Sequence, residues 1–185
     1  MQRIVSSNRR RIADIDFVEI WPHAGEGEGE HEPALLRFWS EEKAFADIAD
    51  ARRRLREVVL YARDRDGEVA AVCTAVPMIL PRLGEPMYYY RCLIGQAWRS
   101  TPLVMAMLRR ACVVLEDYAV AQAYPCIGIV LELENDAFGK SLDSPVWPNP
   151  EQRGFVYIGK SRHGLDLRIA YFRGSRLTRA AVPTA

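Results

Sequence analysis

Lysine is scarce in this chain. Only Lys43, Lys140 and Lys160 stand among 25 basic residues, so arginine carries the positive charge, as genome composition alone can dictate. Excess charge is missing as well. The formal net charge of +1 leaves no global field to draw the protein to nucleic acid or to an anionic membrane. No apolar run is long enough to span a bilayer, because Arg, Pro, Gln or Glu interrupts each one. The first residues, "MQRIVSSNRRRIADIDF", are basic but lack the apolar stretch of a signal peptide. Cys73, Cys92, Cys112 and Cys126 show no CxxC spacing, and each sits in an apolar segment. Buried, reduced thiols in a cytoplasmic protein are expected, with no metal site made from them.

What is present suits a packed core. Hydrophobic residues make up 49% of 185 positions, enough for one domain spanning residues 1–185. Ile12 to Trp21 alternates as a first strand, followed by "PHAGEGEGEHEP", a mobile loop from Pro22 to Pro33. Leu35 to Glu57 has helical periodicity and divides into two helices. A meander follows: Val58 to Arg63, a hairpin turn at Asp64-Arg65-Asp66-Gly67, Glu68 to Leu80, a turn at Pro81 to Pro86, and Met87 to Ile94. The spacing of Leu103, Met107, Ala111, Val114, Leu115 and Tyr118 predicts a long helix from Pro102 to Ala121. Cys126 to Leu133 reads as a buried strand, parallel to the preceding one if the helix is a crossover. A proline-rich excursion spans Leu142 to Gln152. Phe155 to Lys160 and Leu165 to Phe172 then form a closing hairpin, and the chain beyond Leu177 is expected to fray. The fold class is α/β with a mixed, mostly antiparallel sheet flanked by helices.

One stretch raises a chemical question: "IGQAWRSTPLVMAMLRRA", Ile94 to Ala111. Ser100 or Thr101 is a good N-cap and Pro102 suits the first helical position. A helix start leaves free amides and a partial positive charge, and Arg99 adds a full one. The segment is either an anion cradle or simply a capped helix beside a solvated arginine.

The element order and this stretch resemble the Gcn5-related N-acetyltransferase family, over roughly Ile12 to Phe172. Ile94 falls at the family's strand-end position, Arg99 at its Arg/Gln position, and Met107-Leu108 at its leucine pair. Pro102 and Val104 stand where the family has small residues; proline donates no amide hydrogen, and two side chains crowd the backbone. The resemblance implies acetyl-CoA or another acyl-CoA as co-substrate. Arg99, Ser100, Thr101 and the amides of Leu103 and Val104 would hold its diphosphate, and backbone groups of Cys92 and Ile94 its pantetheine. Asn135 matches a further cofactor-side asparagine. The implied reaction is direct transfer of an acyl group, most simply acetyl, to a small-molecule amine. The rival is a non-catalytic binding or interaction domain of the same fold.

Such transfer needs a base for the amine proton and a donor for the thiolate. Tyr88 stands where some family members hold a glutamate base. Alternation puts Tyr88, Tyr90 and Cys92 on one strand face and Tyr89, Arg91 and Leu93 on the other, and aromatic packing competes with any acid role for Tyr88. Glu132 and Glu134 share a face of the next strand, either lining a polar cleft or forming salt bridges. Glu132 is the candidate base. The family's tyrosine acid has no counterpart in "NDAFGKSLDS", with Tyr157 a distant substitute. His23 and His31 among glutamates lack fixed metal-site spacing, and Arg52, Arg53, Arg54 and Arg56 read as a solvated helix face. The expected partners are therefore a small amine, with no nucleic acid and no membrane. The exposed closing strands make a homodimer plausible.

Overall fold

A computed structural model describes residues 11–22, 29–133, 143–147 and 154–178. After a 3₁₀ turn at Ile12–Asp14 come β1 (Asp16–Glu19), α1 (Glu32–Glu41), α2 (Ile48–Leu55), β2 (Val58–Arg63), β3 (Val69–Leu80) and β4 (Glu85–Ile94). A second 3₁₀ turn, Gln96–Trp98, leads into α3 (Leu103–Ala121). Strands β5 (Gly128–Leu133), β6 (Val146–Trp147), β7 (Phe155–Lys160) and β8 (Asp166–Tyr171) complete the chain. The strand order is β1-β2-β3-β4-β5-β8-β7-β6. The β4–β5 pair is parallel, as a helical crossover through α3 requires, whereas β1–β2, β5–β8, β7–β8 and β6–β7 are antiparallel.

The chain divides into two compact units. Strands β3 and β4 and helix α3 each contribute one part to each unit, so no linker composition marks a boundary in the sequence. Unit 1 holds residues 1–73 and 92–111. Its core joins Leu35, Phe38 and Trp39 of α1 to Ala51 of α2 and to Val58, Tyr61 and Val72 of the strands. Burying a side chain of the Leu or Phe class contributes about 1.5–3 kcal/mol. Helix α1 starts at Glu32 with Pro33 in its first turn, where a missing amide hydrogen costs nothing. The loop read from Pro22 to Pro33 is thus shorter than expected. Asp47 caps α2 by accepting from the Ala49 amide at 2.9 Å.

Unit 2 holds residues 74–91 and 112–185. Its core packs Leu80, Met87, Ile127, Val130 and Ile169 together, with Tyr89, Ile158 and Leu167 partly buried against them. The turn after β2 forms as read: the Asp64 carboxylate accepts from the Asp66 and Glu68 amides, and Gly67 adopts a φ of 82°. The proline-rich excursion contains an unexpected short strand, β6, paired with β7 through Trp147 and Phe155. Among the described residues no helix is long and apolar enough to cross a membrane.

Candidate functional site

The segment between β4 and α3 lies in unit 1. Gly95 makes its geometry possible, since a Cβ there would meet the Ala70 carbonyl at 3.1 Å and the Phe38 ring at 3.2 Å. That close approach brings the end of α1 to the segment, and Glu42 takes hold of it. One Glu42 oxygen accepts from the Gln96 amide at 2.8 Å, and the other accepts from Arg99 Nη2 at 2.8 Å. Arg99 Nε also donates to the Ile94 carbonyl at 3.1 Å. The arginine is therefore tied rather than loose, although its side chain remains 55% exposed against 17% for Glu42.

The start of α3 is equally committed. Thr101 donates its hydroxyl hydrogen to the Trp98 carbonyl at 2.7 Å and accepts from the Leu103 amide at 3.3 Å. The Pro102 carbonyl accepts from the Met105 and Ala106 amides at 3.1 and 3.2 Å. Of the residues expected to hold phosphate, Arg99 and Thr101 thus serve internal bonds, and Leu103 is buried with its amide used. Ser100 is exposed, and among the described residues the Val104 amide finds no acceptor. Cys92 and Ile94 are half-buried on β4. The registered β4–β5 pairing runs from Tyr88–Ile129 to Tyr90–Leu131, while β4 continues four residues further, through Ile94. Asn135 lies outside the described residues, as do Glu134 and His23.

In unit 2 the candidate base has partners that the sequence did not announce. Glu132 Oε2 accepts from the Tyr89 hydroxyl at 2.5 Å, with the Arg91 guanidinium stacked 4.4 Å from the Tyr89 ring centre. Glu132 Oε1 is buried and has no hydrogen bond of good geometry among the described residues. Burial pushes the Glu132 pKa up, but the nearby Ser161 hydroxyl, the Tyr89 bond and the charges of His163 and Arg162 together hold it below the ordinary glutamate value. Burial first, and then the bond to Glu132, raise Tyr89 to about 12.

Tyr88 is a different kind of residue. Only 1% exposed, it packs against Phe172 and meets the Cys126 thiol, which burial pushes up to about 11. Burial raises the Tyr88 hydroxyl too. An acid or base role needs access to a reacting atom, so the catalytic expectation for Tyr88 gives way to packing, the alternative that strand alternation already offered. His31 is occupied as well, its Nδ1 lying 2.9 Å from the Tyr61 hydroxyl.

No protein-family model and no curated protein matches this sequence. Solved structures do. A bacterial toxin aligns with a TM-score of 0.55 at 12% identity, over 86% of this chain and 91% of the other. A mutant of the AtaT toxin, bound to the C-terminus of the antitoxin AtaR and acetyl-CoA, aligns with a TM-score of 0.52 at 14% identity, over 85% and 93%. A KacTA–DNA complex aligns with a TM-score of 0.47 at 13% identity, over 85% and 92%. The AtaT likeness corrects the expected partners: a protein similar in fold was solved with a segment of its antitoxin, so a list limited to a small amine does not stand. Element order, the parallel β4–β5 pair followed through α3, and the toxin likenesses agree on one architecture: the chain has the Gcn5-related N-acetyltransferase fold.

Proposed function

We propose that the protein transfers an acyl group from acyl-CoA to an amine nitrogen by direct attack. The observation that carries this reading is the short register of the parallel pair: β4 extends past its last partner in β5 and supplies backbone groups at Cys92–Ile94 for a pantetheine arm. Arg99, Ser100 and the Val104 amide are the groups for the diphosphate, with Pro102 contributing no donor. In the reaction the amine lone pair forms the N–C bond, and the C–S pair leaves as thiolate. The proton displaced from nitrogen goes to a general base; Glu132, kept ionised at neutral pH by its lowered pKa, has the chemistry for that role. Acetyl is the simplest acyl group. The acceptor is defined here by its amine alone.

Thermal melting with and without acetyl-CoA tests the reading. A ligand at a hundred times its dissociation constant adds about 2.7 kcal/mol. At about 2–4 °C per kcal/mol for a chain of this size, that is a rise of about 5–11 °C. Arg99→Ala should weaken acetyl-CoA binding and leave the melting of the free protein nearly unchanged, because an exposed pair of this kind contributes only about 0–1 kcal/mol. One observation favours the non-catalytic alternative: the internal use of Arg99 and Thr101. The absence of any shift with acetyl-CoA, longer acyl-CoAs or free CoA would establish that alternative.

A further inference from the structure

We propose that Glu42 is an internal competitor for the cofactor's phosphate, so that Arg99 must exchange from Glu42 to the ligand when acyl-CoA binds. The proposal rests on the acyl-CoA reading above and assigns a role to a residue outside the resembled motif. It follows from the way Glu42 is held. One of its oxygens takes a guanidinium N–H and the other a backbone N–H, at 2.8 Å each. Two oxygens of a phosphate bound at a cationic turn would take the same kinds of donor. The carboxylate thus stands in, chemically, for the anion that this segment is proposed to receive.

The remaining donors make the exchange necessary. Pro102 has no amide hydrogen, the Leu103 amide is bonded to Thr101, and the Met105 amide is bonded to the Pro102 carbonyl. The Thr101 hydroxyl hydrogen is given to Trp98. Among the described residues Ser100 and the Val104 amide supply only neutral donors, which do not offset a diphosphate's loss of water without a cation. Arg99 is the cation of this segment, and Glu42 neutralises it. Removing the Glu42 charge therefore frees Arg99 and also removes a repulsion felt by any arriving phosphate. In Glu42→Gln the side-chain amide oxygen can still accept from Gln96 or Arg99, so the local geometry has a replacement for its bonds.

The test is calorimetric titration of free CoA, and separately of inorganic pyrophosphate, into the wild type, Glu42→Gln, Arg99→Ala and the double variant. Circular dichroism confirms folding, and Glu42→Ala provides a second neutral variant. The expected result is that Glu42→Gln and Glu42→Ala bind CoA about tenfold more tightly than wild type, an estimate from removing one like charge within a few ångströms. Pyrophosphate should follow in the same direction. In the Arg99→Ala background the gain should shrink to threefold or less. Equal or weaker CoA binding by both Glu42 variants overturns the proposal while leaving the acyl-CoA reading intact, because wild type would still bind. If neither wild type nor any variant binds CoA, both fall together. A gain that persists in full without Arg99 also overturns the exchange, since Glu42 would then act by bulk repulsion.

Discussion

Tyr89→Phe removes one hydroxyl from β4 and leaves the ring against which Arg91 stacks. That hydroxyl donates to Glu132 at 2.5 Å, and the Ser161 hydroxyl lies near the same carboxylate. In the variant the carboxylate keeps the nearby Ser161 hydroxyl and the charges of His163 and Arg162. A hydrogen bond to a charged group contributes about 1.5–3 kcal/mol. Glu132 is partly open, so solvent replaces some of the loss, and about 1–2 kcal/mol is the expected net destabilisation at neutral pH. For a chain of this length that is a fall of about 2–8 °C in Tm.

The pH dependence separates this cause from simple packing. The folded pKa of Glu132 lies below its ordinary value of 4.5, so its contribution is present above that value and is lost as pH falls through the folded pKa. Removing the Tyr89 donor raises the folded pKa. The difference between wild type and variant should therefore be full at pH 7 and shrink below about pH 4.5. Tyr89 is raised from 10.0 to about 12, so on the alkaline side its contribution is present below pH 10 and fades as pH climbs toward 12. Thermal melts from pH 3 to pH 9 on wild type, Tyr89→Phe, Glu132→Gln and the double variant measure the acid side. A deficit of the same size at pH 3.5 and pH 7 would refute the reasoning, because the hydroxyl would then act through shape alone.

Tyr88→Phe should cost about 1 kcal/mol or less through its Cys126 contact and leave acyl transfer at the wild-type rate; a hundredfold fall in kcat would restore the catalytic role. Gly128→Ala should destabilise by about 1–3 kcal/mol, read as a lower urea midpoint, because its Cβ would run into the Ala170 carbonyl and meet the Met87 methyl at 2.9 Å. An unchanged midpoint would mean that the β5–β8 pair can part there at little cost.

Much of the fold was legible because its signals are local. The apolar run Val58–Arg63, the Asp64–Gly67 turn and the helical spacing after Pro102 each declare an element within a few residues. Boundaries slipped where one residue suits two structures: Pro33 ends a loop or opens a helix, and here it opens α1. Strand β6 was hidden by Pro145 and Pro148 on either side of two residues whose pairing with β7 depends on the fold. The candidate site was legible only in part, for the same reason. Arg99 is conspicuous from its neighbours, but the carboxylate that holds it is 57 positions away. Tyr89 meets Glu132 across 43 positions, and strand alternation could separate Tyr89 from Tyr88 without naming what either would touch.

The two departures from the resembled motif have separable consequences, and Val104 tests them apart. Pro102 removes a donor outright, and its carbonyl draws in the Met105 amide, so the helix mouth is left chiefly with the Val104 N–H. Crowding is a distinct effect. The Val104 side chain is half-buried and stands on the residue whose amide an anion would need to approach. Val104→Ala keeps that amide, improves helix propensity by a few tenths of a kcal/mol, and removes two methyl groups from the approach. If crowding weakens the cradle, CoA should bind a few-fold more tightly to Val104→Ala, and combining it with Glu42→Gln should multiply the two gains, since one acts on access and the other on charge. If Val104→Ala leaves CoA affinity unchanged while Glu42→Gln raises it, the phosphate is held by Arg99 alone and the helix mouth serves only to start α3. Equal indifference to both substitutions, with CoA still bound, would move the phosphate site away from this segment altogether.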